Sequence, residues 1–286
     1  MNTTIEVRRY RSDDGIELAA DVGGDPSSTP VVLLHGGGQT RHSWTRAMRE
    51  LLARGYHVIN LDARGHGDSD WAPDGRYGLD AHAADLRSVI ATLRSPPALV
   101  GASMGGATSL YAVGTSAQPL ARALVLVDVV PRIDPEGAKK ILAFMSAQPD
   151  GFATLDEAAA AVAAYNPHRP RPKDPAGLMK NLRRRADGRL HWHWDPRFLT
   201  DPQRAEPPAF AERLHQAADH VRIPTLLVRG LKSDLVSEDG VAELRTHLPQ
   251  LEVFDVAGAG HMVAGDQNDP FNDGMLAFLL KHAPPV

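Results

Sequence analysis

Five stretches of the chain are apolar with little alternation: PVVLLH (30–35), YHVINLD (56–62), ALVGA (98–102), ALVLVDVV (123–130) and IPTLLVRG (223–230). A strand buried on one face alternates apolar and polar residues; a strand buried on both reads as a continuous run. LEVFDVAG (251–258) is a more mixed strand pattern late in the chain. Helical periodicity fills the intervals, over 43–54, over 79–94 and after residue 103. Strands alternating with helices predict a mostly parallel sheet with right-handed crossovers, an α/β architecture. The first two strand patterns differ. IEVRRY and IELAADV alternate, as half-exposed antiparallel strands do, and Asp13-Asp14-Gly15 between them is a hairpin signal.

The pattern breaks at Pro131. From there to about His220 no strong strand run occurs, and 11 of the 22 prolines fall in this stretch. LDEAAAAVAAY and LMKNLRRRA read as helices. The expectation is a helical insertion over residues 131–218, placed after the sixth strand, in a core built from 1–130 and 219–286. KNLRRR (180–185) reads as a solvated helix face. LHWHWDP (190–196) is unusual. If extended, it puts His191 and His193 on one face and Trp192 and Trp194 on the other. Two histidines without a third ligand at sensible spacing do not make a zinc site, so no metal is expected. Packing of the insertion on the core is the favoured reading, with Trp194 lining an apolar substrate pocket as the alternative.

Composition narrows the classes of function. The formal net charge is −4, so the chain has no overall basic excess of the kind nucleic-acid binding uses. Cysteine is absent, which excludes disulfides, thiolate metal ligands and a cysteine nucleophile. No run approaches the roughly 20 apolar residues that span a bilayer. The start of the chain has no apolar run of the signal-peptide kind. These features predict a soluble, cytoplasmic protein with no membrane and no nucleic-acid partner; the small-molecule substrate expected of it comes from the candidate chemistry.

The candidate chemistry sits where strands end. Gly101-Ala-Ser103-Met-Gly105 matches G-x-S-x-G between a strand and a helix, the setting that gives this motif its meaning. A serine needs a base, and the base needs an orienting acid. His261, after the last strand in VAGAGHMV, is the expected base. Asp234, in LLVRGLKSDLV, is the expected acid; Asp128, ending LVLVD, is its rival. The order Ser103, Asp234, His261 suits strand-end chemistry in an open α/β sheet. A tetrahedral intermediate needs donors for its oxyanion. The Met104 N–H, at the start of a helix, is one. The Gly37 N–H, in His35-Gly36-Gly37-Gly38, is the other. Gly36 and Gly38 bring bare backbone near the substrate. His66, in ARGHGDSD, reads as part of a tight structural turn. HGGG is not followed by G-K-[ST], so it is not a phosphate loop.

HGGG, DARGHGDSD, GASMG, RGLKSD and GAGH occur in one order, and with them the chain resembles an α/β-hydrolase over nearly its whole length. The likeness is nearest to the serine branch that includes esterases and cofactor-free, non-haem haloperoxidases. It implies the α/β-hydrolase fold, a helical cap (lid) over 131–218 and chemistry without a cofactor. The resemblance, with the serine, implies hydrolysis of a carboxylic ester through an acyl-enzyme. Perhydrolysis and carbon–carbon bond hydrolysis are alternatives. An epoxide hydrolase would carry a carboxylate in place of Ser103 and two cap tyrosines, whereas Tyr165 is the one tyrosine between 131 and 220. A non-catalytic binding protein would not need the full constellation.

Overall fold

The computed structural model of the chain describes residues 4–165, 174–201, 207–257, 259–260 and 269–286. The continuous apolar runs form strands buried along their length: β3 (Pro30–Leu34), β4 (His57–Leu61), β5 (Ala98–Ala102), β6 (Ala123–Val127) and β9 (Thr225–Gly230). They lie in an eight-stranded sheet with β1 (Ile5–Arg11), β2 (Glu17–Gly23) and β10 (Leu251–Val256), in the order β1-β2-β4-β3-β5-β6-β9-β10. β1 and β2 run antiparallel and all pairings from β4 to β10 are parallel. β1 is an edge strand and is almost wholly exposed, so its alternation does not mark a buried face.

The helices cover both faces of the sheet. α2 (Leu79–Ala91), α3 (Met104–Gly114), α6 (Pro207–Ala218) and α7 (Glu238–His247) contribute to one apolar cluster, with Leu86, Leu110, Leu214 and Leu244 fully or nearly fully buried. α1 (Thr45–Ala53) and α8 (Asp269–His282) contribute to the other, with Leu51 and Met275. Burying a side chain of this size stabilises the fold by about 1.5–3 kcal/mol, which holds both layers on the sheet. No helix among the described residues is long and apolar enough to cross a membrane.

The chain leaves the sheet after β6 and returns at β9. The excursion holds α4 (Pro135–Ser146), α5 (Leu155–Tyr165) and a short hairpin, β7 (Leu182–Arg184) with β8 (Leu190–Trp192). These elements share a small apolar cluster of their own, including Met145, Phe152, Leu182, Trp192 and Trp194. α6, by contrast, packs on α3 and buries Leu214 and Ala218 in the main core. The segment expected to be a solvated helix is therefore partly strand. Leu182–Arg184 pair in antiparallel register with Leu190–Trp192, and exposure rises along the strand from buried Leu182 to exposed Arg184. Arg183 is not merely solvated: it pairs with Asp68 of the core at 2.7 Å.

The loop after β4, which the excursion meets, is itself tied down. Asp62 accepts from the Arg41 N–H (2.7 Å) and the Asp68 N–H (2.9 Å). Arg64, 1% exposed, makes two 2.6 Å bonds to Asp85 on α2, and a further one to Asp14. A buried guanidinium left without its main carboxylate is costly, so Asp85→Ala should lower unfolding stability by about 3 kcal/mol. Urea denaturation checks this; a loss below about 1 kcal/mol, the size of a surface pair, would contradict it.

Candidate active site

One residue separates β5 from α3, and it is Ser103. Its backbone takes φ 46° and ψ −112°, which L-residues seldom adopt. Such strain costs about 1–3 kcal/mol and survives where packing leaves no alternative. Here a Cβ on Gly101 would collide with the Gly105 carbonyl, and one on Gly105 would lie 2.5 Å from the Leu34 oxygen. Both motif glycines are thus required by the close approach of β5, α3 and β3. The Ser103 hydroxyl does not cap α3. Its carbonyl and N–H are spent on backbone, to Ala107 and Val127, leaving the side chain at the turn's tip.

HGGG follows β3 and lies against this turn. A Cβ on Gly36 would come within 3.4 Å of Ser103 Cβ. Three imidazoles hold the loop. His35 accepts from the Ala63 N–H through Nε2 (3.0 Å), so its Nδ1–H donates to the Gly36 oxygen (2.8 Å). His66 accepts from the Gly38 N–H through Nε2 (3.1 Å), and its Nδ1–H faces the Arg64 oxygen (3.1 Å). His193 accepts from the Gly67 N–H through Nδ1 (2.7 Å) and turns Nε2 to the Gly38 oxygen (3.4 Å). The Gly36 N–H goes to Gln39 Oε1 (3.1 Å). Among the described residues, the N–H groups of Gly37 and Met104 have no hydrogen-bond partner. His66 therefore does more than shape a turn, and sequence reasoning passed over Gln39 and His193 as parts of this site.

The two candidate acids differ sharply. Asp234 is half exposed and pairs with Lys140 of α4 at 2.8 Å. Asp128 is 1% exposed, directly after β6, with φ 49°. Its carboxylate accepts from Ser233 Oγ (2.6 Å) and the Gly230 N–H (3.2 Å). Ala102 pairs with Val127 in register, so Ser103 and Asp128 leave adjacent strand ends together. His261 lies outside the described residues. The two residues before it are held: Lys232 N–H donates to the Ala259 oxygen (2.9 Å), and a Cβ on Gly230 would lie 2.6 Å from the oxygens of both Ala259 and Gly260. Gly230 is thus in contact with Asp128 through its N–H and with the chain entering His261 through its Cα.

The excursion between β6 and β9 reaches over the glycine loop. A Cβ on Gly38 would lie 3.2 Å from Met145 Cε and 3.4 Å from Trp194 Cζ3; one on Gly37 would lie 3.6 Å from the Phe198 ring. Trp192 and Trp194 do share a face, stacked at 5.0 Å, while His193 points to the core and His191 turns to Asp187 at 2.8 Å. Among the described residues no cluster of three or more His, Asp or Glu could hold a metal ion. The segment is moored by Asp195, which accepts from Tyr77 OH (2.5 Å), and by the Asp195 N–H to the Gly65 oxygen (2.9 Å).

Burial holds these imidazoles neutral. It lowers the pKa of His35 and, with the neighbouring histidines, takes His66 well below its usual value. Desolvation lowers His193 to about 3, and also His82 to about 3, where Arg64 adds to the effect. An unfolded chain would take up these protons near pH 6.5, and the folded chain would not. Stability should therefore be full above pH 6.5 and fall as pH drops toward 4.5, at about 1.4 kcal/mol per pH unit for each of His193 and His82, with His35 and His66 acting in the same direction. Urea midpoints across this range test it, because most carboxylates titrate lower; a flat profile would contradict the buried neutral cluster.

The α/β hydrolase fold family model matches residues 29–266. The chain is 32% identical over 256 residues to an esterase of Mycobacterium tuberculosis, covering 84% of this chain and 79% of that one. It is 30% identical over 258 residues to the 3-hydroxybutyrate-oligomer hydrolase of Cupriavidus necator, covering 82% and 85%. The crystal structure of an E-2-(acetamidomethylene)succinate hydrolase matches with a TM-score of 0.83 at 27% identity, covering 96% of this chain and 99% of that chain. Strand order, the serine turn and these similarities agree: the chain belongs to the α/β-hydrolase fold family, and these relatives are hydrolases.

Proposed function

We propose that this protein is a serine hydrolase that cleaves a carboxylic ester of a small, largely apolar molecule through an acyl-enzyme. The observation that carries the reading is a strained, uncapped serine beside two backbone N–H groups, Gly37 and Met104, with no partner among the described residues. Donors left unpaired at a turn are expensive unless a ligand or water uses them, and a developing oxyanion is the ligand they suit. His261 takes the proton of Ser103 Oγ as the oxygen attacks the carbonyl carbon. The oxyanion is received by the two N–H groups. His261 returns the proton to the departing alcohol, and a water activated by the same imidazole then releases the acid.

The acid in this reading is Asp128, in place of the expected Asp234. An orienting carboxylate must be buried and fixed to hold one tautomer of its histidine. Asp128 is buried and fixed by Ser233 and Gly230, and Gly230 touches the residues leading into His261. Asp234 is half exposed and engaged with Lys140. Phe198, Met145 and Trp194 beside the glycine loop favour an apolar group on the substrate, with the inserted segment as its cap. The similarity to an esterase favours an ester over other acyl bonds.

Ser103→Ala should abolish both turnover of a short p-nitrophenyl ester and labelling by a fluorophosphonate. Full retained activity would refute the mechanism. Asp128→Asn should lower kcat by about 10⁴-fold with folding intact, the size expected when a catalytic histidine loses its orienting carboxylate. Asp234→Asn should leave kcat within about 3-fold, since an exposed pair with lysine contributes little. The reverse ranking would return the role to Asp234.

A further inference from the structure

We propose that His193, carried by the segment inserted between β6 and β9, is a positioning residue for the glycine loop that carries the Gly37 oxyanion donor, adding a tie from this segment to a run of peptide planes that core residues already orient. The inference rests on the ester-hydrolase reading above and deepens it.

Consecutive glycines are the least constrained backbone a chain can offer. A donor N–H on such a run points nowhere in particular unless its neighbours are held. A peptide unit is planar, with its C=O and N–H on opposite sides, so fixing one group aims the other. In the Gly36–Gly37 unit, the oxygen receives His35 Nδ1–H at 2.8 Å and the Gln39 N–H at 3.1 Å. That turns the Gly37 N–H to the opposite side. In the Gly37–Gly38 unit, the N–H is taken by His66 Nε2 at 3.1 Å. In the Gly38–Gln39 unit, the oxygen faces His193 Nε2 at 3.4 Å. Three successive peptide planes thus each meet a different imidazole, and each of these imidazoles also accepts a backbone N–H through one of its nitrogens. The rings themselves form a file, with His66 centred 5.3 Å from His35 and 5.7 Å from His193.

His35 and His66 belong to the core, on the loops after β3 and β4. His193 does not. Its strongest bond, 2.7 Å from the Gly67 N–H, is one of the ties between the inserted segment and the core loop, beside Arg183 to Asp68 and the Asp195 N–H to the Gly65 oxygen. The other nitrogen of His193 faces the last plane of the glycine run. A single ring therefore joins the insertion both to the core loop and to the glycine run.

The test uses the whole protein. Active serine is titrated with a fluorophosphonate, and ester turnover is expressed per titrated site. His193→Asn retains an acceptor near Nδ1 and lacks the Nε2 donor. His193→Gln can present an N–H near Nε2. We expect His193→Asn to lower kcat by about 10- to 100-fold, as small misplacements in a site do, with KM changed less than about 3-fold. Affinity for an arylboronate, which forms a tetrahedral adduct on serine, should fall by a similar factor. His193→Gln should recover most of both losses. Wild-type kcat per titrated site in His193→Asn would overturn the proposal, as would equal losses in Asn and Gln variants with unchanged boronate affinity. If His193→Asn fails to fold, His193→Gln decides: boronate affinity and kcat that move together support positioning, and a drop in titratable sites alone refutes it. A wild-type protein that neither labels nor hydrolyses esters would instead defeat the functional reading itself.

Discussion

The close approach of three backbones at the carboxyl end of the sheet governs everything around it. α3 begins so near β5 and β3 that neither Gly101 nor Gly105 has room for a Cβ. The contact of Gly105 with Leu34 matters most, because Leu34 immediately precedes the glycine loop. One steric constraint therefore sets the distance between the turn that lifts Ser103 and the loop that carries Gly37. The strain in Ser103 is tolerated because the surrounding sheet and helix are fully packed and cannot relax around it.

Around that contact, neutral polar groups do the positioning. The imidazoles beside the glycine loop are buried and act as both acceptors and donors to backbone. A cation there would lose the accepted bonds and pay for desolvation. The charged groups nearby are paired: Arg64 with Asp85, Arg41 with Asp62 and Asp21, Arg183 with Asp68, and buried Asp62 comes within 4.0 Å of His35 Nε2. Backbone dipoles and neutral rings make the direct contacts to the glycine loop. Such an arrangement suits the stabilisation of a transient negative charge, which benefits from fixed dipoles in a poorly solvated place.

The inserted segment has a small core of its own and rests on the main domain through both polar and apolar contacts. His193, Asp195 and Arg183 bond to Gly67, Tyr77 and Asp68, while the Phe198 ring packs against His66, Tyr77 and His82.

Local patterning was enough to reveal much of this. Unbroken apolar runs marked the parallel strands, because burial on both faces leaves no polar positions. The spacing of Gly101, Ser103 and Gly105 marked the turn, because only glycine fits two residues from a serine held so tightly. Pro131 follows β6, after which the chain leaves the sheet until β9. Three things depended on the tertiary structure. The segment 182–184 became a strand because its partner, 190–192, lies across a turn and supplies the hydrogen bonds. Asp128 and Asp234 read alike in sequence, since each follows a strand; only the sheet order buries the first beside the serine strand and leaves the second facing Lys140. The convergence of His35, His66 and His193 on one glycine loop was invisible in the chain, because residues 127 positions apart share no periodicity. Local sequence records which face of an element is buried. What that face is buried against is decided by which elements the fold brings side by side.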